Sequence, residues 1–414
     1  MTKLEFPKGF LWGAATSAHQ VEGNNHNDWT EWERENAERL SKESGSKYPP
    51  ENYISGRACD HYNRFREDFD IAKSLNHNVH RFSIEWSRVE PEEGRWDEKE
   101  IEHYREVIST LRERQLEPFI TLWHWTLPVW VAKQGGWANK KTVGDFARYV
   151  NKLVRSEGFV DVKFWIPINE PGTYVGLGYV QGVEPPGIKS LSIGNKAFKN
   201  LMQAQREVYK VIHKKLPEAE VGVSHFFTYF MAYKNRPWDY LLVMILDYIS
   251  NWRFLKFAKN SYDFIGLQYY WPEFINFKLG GQWGFIKRRA YPGWISDTGF
   301  SIYPEGIYWL LRKISKKYKK TIYISENGVA DARDIHREKF IKEHLKWAHK
   351  AISEGVDVRG YFYWSLLDNF EMPRTSGFWP RFGLVEVDYK TMERRIRQSA
   401  YYYAKIIKEN ALEV

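Results

Sequence analysis

The 414-residue sequence has a single cysteine, Cys59, which excludes a disulfide framework within the chain. No apolar run approaches the roughly 18 residues of a membrane span, and the first twenty residues hold no long apolar stretch of the signal-peptide kind. We therefore expect a cytoplasmic protein without a membrane span. Positive charge is in excess, at +9, but it is not gathered into a basic arm. Lysines are spread over helical patterns such as LLRKISKKYKK, residues 310–320, where they read as a solvated face. No nucleic-acid motif accompanies them, so no nucleic-acid partner is expected. His-x-His and His-Glu-x-x-His spacings are also missing, and neither a metal nor a cofactor is expected. His77 and His80 read as ordinary polar or core histidines. No low-complexity block or linker divides the chain, and one domain over residues 1–414 is expected.

What the sequence does have is aromatic residues, at 17%, with 19 tryptophans. Part of that must fill a core, and the surplus suggests aromatic surfaces of the kind that sugar rings use. Eight continuously apolar, strand-like runs recur, at 10–18, 78–86, 117–125, 162–169, 220–226, 263–270, 321–326 and 359–365. Helical patterns lie among them at 57–75, 98–115, 142–156, 193–215, 304–318, 335–354 and 394–409. Strands without alternation, separated by helices, imply a parallel sheet buried on both faces. Eight units in an undivided chain favour a (β/α)8 TIM barrel. An open doubly wound sheet is the alternative, but no Gly-rich phosphate fingerprint follows an early strand.

A barrel places function at the carboxyl ends of its strands. Polar residues gather there: Gln20, Arg81, His124, Asn169, Glu170, Gln268, Tyr270, Glu326 and Glu371, with Trp125 and Trp364 beside them. Two runs, VKFWIPINEP and TIYISENG, end in the acids Glu170 and Glu326. A carboxylate beside a core costs free energy unless it is paired or used. Two at one mouth suit glycoside hydrolysis, which needs one acid for the leaving oxygen and one carboxylate to attack or to activate water. Metal-assisted hydrolysis is the competing use.

The segments FLWGAATSAHQVEG, HRFSIEWSRVEPEEGRWD, ITLWHWTLP, WIPINEPGTY, DFIGLQYY, YISENG and GYFYWSLLDNFE with RFGLVEVDY resemble those of glycoside hydrolase family 1, the retaining β-glycosidases. The resemblance runs from about Phe6 to the C-terminus and is nearest to the compact archaeal-type members. It implies an exo-acting hydrolase of β-D-glucosides, β-galactosides or β-fucosides, with a small carbohydrate as partner. Glu326 would be the nucleophile and Glu170 the acid/base, facing each other at roughly 5–5.5 Å as in retaining enzymes. Arg81 and Tyr270 would favour the anion of Glu326, and Asn169 would bind the 2-hydroxyl. Gln20, His124 and Glu371 would bind other hydroxyls, while Trp125 and Trp364 offer apolar faces. Gln268, Phe300, Met372 and Phe378 complete the implied substrate-binding set.

Some positions depart from the family pattern. Met372 and Phe300 stand where Trp is usual, and Gln268 where Asn is usual. The segment EMPRTSGFWPRFG looks about two residues long, and the region from about Tyr233 to Ser261 looks short, so a loop or helix beside the mouth is expected to be missing. Pro380 and Phe382 replace the Lys and Tyr of 6-phospho-β-glycosidases. Glu170 argues against a plant thioglucosidase, which has Gln there. Two further readings stay open: a sugar-binding barrel without catalysis, and a transglycosylase with an alcohol or lipid-like acceptor. The oligomeric state is left unassigned.

Overall fold

The computed structural model describes residues 3–281, 284–289, 293–372 and 376–414, with side chains left out at 279–281 and 284–289. Eight parallel strands close into a barrel. They are β1 (Leu11–Ala15), β2 (Val79–Ser83), β3 (Glu117–Thr121), β4 (Phe164–Ile166), β5 (Glu220–Phe226), β6 (Phe264–Gln268), β7 (Thr321–Asn327) and β8 (Val358–Trp364). The ring is shut where β8 pairs with β1, Gly360 opposite Leu11 and Trp364 opposite Ala15. Each expected run overlaps one of these strands. The fourth is the most trimmed: 162–169 shrinks to Phe164–Ile166, so Glu170 lies in the loop beyond its strand rather than at its end.

Inward-facing residues of six of the strands fill the barrel. Val79, Phe119, Phe164, Phe264, Tyr323 and Phe362 form one cluster below the mouth. Phe119 stacks on Phe164 at 4.9 Å and presents edges to Phe264, Tyr323 and Phe362. This aromatic floor closes the bottom of the barrel, so ligand access is from the carboxyl ends. The outer helices turn their apolar stripes onto the strands. Lys141–Leu153, for example, buries Val143, Phe146, Tyr149, Val150 and Leu153, spaced three to four apart.

Three features are absent from the sequence reading. Asp28–Glu43 is a helix, started by a reciprocal pair in which Thr30 N–H bonds the Asn27 side chain and Asn27 N–H bonds the Thr30 hydroxyl. A three-stranded sheet of Tyr229–Ala232, Pro272–Gly281 and Gly284–Arg289 grows from the carboxyl ends of β5 and β6. The region expected to lack a loop or helix is itself mostly helical: Pro237–Asp247, a π turn over Tyr248–Trp252, and Arg253–Phe257. Among the described residues no helix is long and apolar enough to cross a membrane.

Candidate active site

Glu326 sits inside β7, and a local irregularity decides where it points. Along β7, Tyr323 faces the barrel interior, so strict alternation would turn residue 326 outward. However, Ile324 pairs with Leu267 and Glu326 with Gln268, leaving Ser325 as an extra residue. The bulge brings Glu326 back to the interior. The Ser325 hydroxyl is tied to Ser224 at 2.9 Å, in the space left by Gly266, where a Cβ would crowd both hydroxyls. Gly328 closes the turn, since a Cβ there would overlap the Trp364 carbonyl.

Three donors converge on the Glu326 carboxylate. Arg81, from β2, donates Nη1 to Oε1 in a buried ion pair. Gln268 donates Nε2 to the same oxygen at 2.5 Å, and Tyr270 donates its hydroxyl to Oε2 at 2.6 Å. Arg81 is itself fixed, with Nε bonded to the Thr121 hydroxyl at 3.1 Å and Nη2 to Asn169 Oδ1 at 2.7 Å. Gln268 also donates to Asn169 Oδ1, at 2.8 Å. These two donors set the Asn169 amide so that its nitrogen faces His124 Nε2, at 3.2 Å.

Glu170 is held differently. It follows β4 by three residues at φ 44°, a left-handed conformation that costs about 1–3 kcal/mol for a non-glycine residue. The strain is held by backbone bonds on both sides: Asn169 N–H to the Trp123 carbonyl and Glu170 N–H to the Ser224 carbonyl, both 3.0 Å. Burial drives the Glu170 carboxyl well above the usual range, and the charge of Glu326 drives it further. The Thr173 hydroxyl and the more distant Arg81 oppose this, and the buried Glu184 adds to it. Burial also raises Glu326, but Arg81, Tyr270 and Gln268 all pull it back. Of the two acids, then, the surroundings favour the proton on Glu170 and the charge on Glu326, where three donors converge.

The remaining groups line the space around this pair. Burial and Arg81 hold His124 well below its normal pKa, so the ring is neutral. Its Nε2 accepts from Asn169, which leaves the proton on Nδ1, a buried atom with no partner. Trp125 Nε1 and Gln268 Oε1 are likewise buried and unpartnered. Such atoms are costly in a finished core, and a ligand reaching His124 and Trp125 would supply the missing bonds there. Trp364 stacks against His124 at 6.0 Å and donates Nε1 to Glu371 at 3.3 Å. Burial pushes Glu371 up to about 8, with Glu326 and Asp368 adding to the shift and bonds from Trp364 and Gln20 opposing it. Gln20 is anchored through Nε2 to Asn369 Oδ1 at 2.9 Å and to the Phe370 carbonyl at 2.7 Å. Among the described residues no group of three or more His, Cys, Asp or Glu side chains is placed to share a metal ion.

Three expected residues have neighbours that the sequence does not show. Gln268 is fully buried behind Glu326 and bonded to it, instead of forming a pocket wall. Met372 is buried in the main apolar cluster, while Pro373–Thr375, part of the seemingly long segment, lie outside the described residues. Phe378 packs on Phe370 and Tyr389, with its N–H bonded to Asn52 Oδ1 at 3.2 Å. Phe300 does reach the rim, where it stacks on Trp271 at 3.8 Å with planes 6° apart. Together with Tyr270, Phe340 and Phe382 they line a small apolar recess. Trp271 escaped the sequence reading although it directly follows the two tyrosines of β6. Glu184 and Thr173 were also missed. Thr173 lies three residues after Glu170, a spacing that could have flagged it.

The comparisons with known proteins agree with this geometry. The model of glycosyl hydrolase family 1 matches residues 2–244 and 250–412. The β-glucosidase A of Thermotoga maritima is 34% identical over all of both chains. A β-glycosidase from Pyrococcus horikoshii has the same fold at TM-score 0.90 and 37% identity, over 100% of this chain and 97% of that one. A Thermotoga maritima β-glucosidase solved in complex with glucoimidazole aligns at TM-score 0.89 and 32% identity, over 98% of this chain and 99% of that one. With the eight-stranded barrel and the carboxylate pair at its mouth, these matches show that the chain belongs to glycoside hydrolase family 1, a family of glycosidases.

Proposed function

We propose that the chain is a retaining, exo-acting β-glycosidase of β-D-glucosides, β-galactosides or β-fucosides, with residues 1–414 acting as one catalytic domain in the cytoplasm. The observation that carries this reading is the asymmetry of the two buried acids. Glu326 accepts three hydrogen bonds, one from a guanidinium, whereas Glu170 has the other carboxylate as its main electrostatic neighbour. In the first step Glu326 attacks the anomeric carbon, and Glu170 gives its proton to the departing glycosidic oxygen. Esterified Glu326 has no charge, so Glu170 loses its like-charged neighbour and its pKa falls. It then takes a proton from water, which attacks the same carbon and releases the sugar with its configuration retained.

Asn169, fixed by Arg81 and Gln268, has its amide nitrogen near the same pair and suits the 2-hydroxyl. His124 Nδ1–H, Trp125 Nε1–H and Glu371 offer further donors and an acceptor or acid for the ring hydroxyls. The Trp271–Phe300 stack offers an apolar rest for the aglycone. That rim also favours transfer of the sugar to an alcohol acceptor as a side reaction.

The test is a panel of p-nitrophenyl β-glycosides read by absorbance, with product anomers read by NMR. Turnover of the gluco and galacto members with retention is expected, and Glu326→Ala is expected to abolish it. Glu170→Ala is expected to lose roughly 10² to 10⁴ on alkyl glycosides and far less on activated aryl ones. Inverted product would overturn the mechanism. A silent panel with intact folding would leave a sugar-binding barrel.

A further inference from the structure

The helix Pro237–Asp247 and the π turn after it carry apolar side chains on opposite faces. One face is accounted for: Leu242, Val243 and Leu246 pack on Phe230 and Ile275 of the sheet beneath. The opposite face is bare. Trp238 is 64% exposed, Met244 69% and Ile249 51%, and Tyr240, Leu241, Ile245 and Tyr248 are exposed beside them. Helices apolar on every side are normally enclosed, in a core or in lipid. Scattered exposed apolar residues need no explanation, but seven large ones within twelve positions form a contiguous patch, which marks a contact surface.

The charges of this segment are one-sided. Its acids are turned to structural use: Asp239 is buried and accepts the Phe277 N–H at 2.6 Å, and Asp247 accepts from Asn251 and pairs with Lys313. Lys234 and Arg236, at the start of the helix, are exposed, and among the described residues neither has an ion pair. Lys256 and Lys259 follow it, also exposed. Aromatic and aliphatic side chains flanked by bare cations are the composition that settles at a lipid headgroup boundary. A second copy fits less well, because each chain carries +9 and a symmetric contact would set like charge against like.

We propose that the outer face of Pro237–Ile249 is a docking surface for a bilayer containing anionic lipid. The sheet under this helix grows from the carboxyl ends of β5 and β6. Docking therefore presents the mouth end of the barrel to the membrane side, where glycosides with apolar aglycones concentrate. The apolar side chains insert to the depth of the headgroups, and Lys234 and Arg236 meet lipid phosphates, each strengthening binding about fivefold near the surface.

The experiment is vesicle flotation of the full chain with phosphatidylglycerol-containing vesicles, with pure phosphatidylcholine vesicles, and with no lipid. Light scattering of the lipid-free protein accompanies it. The wild type should float with the anionic vesicles, and salt should weaken this. The combined variant Trp238→Ser, Met244→Ser, Ile245→Ser should lose about tenfold or more of that partition. Circular dichroism and turnover of a soluble p-nitrophenyl glycoside should stay as in wild type, since none of the three touches the carboxylate cluster. Lys234→Gln with Arg236→Gln should reduce binding to anionic vesicles only. Failure of the wild type to float, or flotation unchanged in the triple variant, overturns the proposal. Equal flotation with neutral vesicles overturns the choice of anionic lipid. A lipid-free dimer dispersed by the triple variant assigns the face to a second copy instead.

Discussion

Gln268 shows how one side chain can serve two others. Its amide nitrogen bridges Asn169 Oδ1 and Glu326 Oε1, so it stiffens Asn169, the proposed 2-hydroxyl binder, and helps solvate the Glu326 carboxylate. Removing it leaves two buried acceptors each short of a donor. We expect Gln268→Ala to lower kcat about 10- to 100-fold, the range for losing a hydrogen bond to a buried charged group. The sign of the pH effect follows from the geometry. Gln268 lowers the pKa of Glu326, so its loss raises that pKa, and the acid limb of kcat/KM should move to higher pH. A merely structural role would change KM or stability and leave the acid limb in place. Glutamine reaches one methylene further than asparagine, and that extra reach is what the sequence could show. That it turns toward Glu326 instead of the sugar depends on the register of β6 against β7, which no local pattern contains.

At the scale of elements, β3 is the strand on which the barrel interior is built. Phe119 has no exposure and touches aromatic rings from β4, β6, β7 and β8. Phe119→Ala should cost about 3–5 kcal/mol in chemical denaturation, because rings on four separate strands cannot all move in to fill the space. A loss under about 1 kcal/mol would mean that the floor collapses to close it. The eight strands were legible because each is a short apolar run, and seven of them have a helical period after them. The helix Pro237–Asp247 was not, because a segment apolar on opposite faces lacks the one-sided period that marks a surface helix. The sheet strand at Pro272 was hidden for another reason: it follows β6 with no turn residues to separate them. Loop residues Met372 and Phe378 were assigned to the pocket by resemblance; Met372 is buried in the apolar cluster that also holds Trp125, and Phe378 packs against Phe370 and Tyr389.

For the whole molecule, stability against pH is set by acids that the fold keeps protonated. Burial raises Asp28 from 3.8 to about 8, and the bond from Leu127 N–H to Oδ1, at 2.7 Å, opposes this only in part. An unfolded aspartate releases its proton near about 3.9. Between that pH and about 8 the folded chain binds one more proton at this site than the unfolded chain. Folding stability from Asp28 is therefore complete at low pH and declines as pH rises through this window. Asp28→Asn keeps an acceptor for Leu127 and removes the titration. Its folding free energy, read by chemical denaturation at each pH, should exceed that of the wild type by a margin that grows from pH 4 to pH 8, by about 1.4 kcal/mol for each unit of the shift at most. A constant margin would mean that Asp28 is already ionised in the fold.

The sequence by itself determined the barrel class and both acids, because apolar period and abrupt strand-end polarity are local properties of the chain. It also contained the departures at Gln268 and Phe300. Only the tertiary structure decided how the two acids differ. Their carboxyl groups are chemically the same, and what separates them is the company each keeps. The extra residue at Ser325 turns Glu326 toward Arg81, Gln268 and Tyr270, which come from other strands and the loop after β6. The left-handed backbone at Glu170 seats that acid in a dry site facing a like charge. Electrostatic energy depends on distance and dielectric across the closed barrel, and neither exists until the chain has folded.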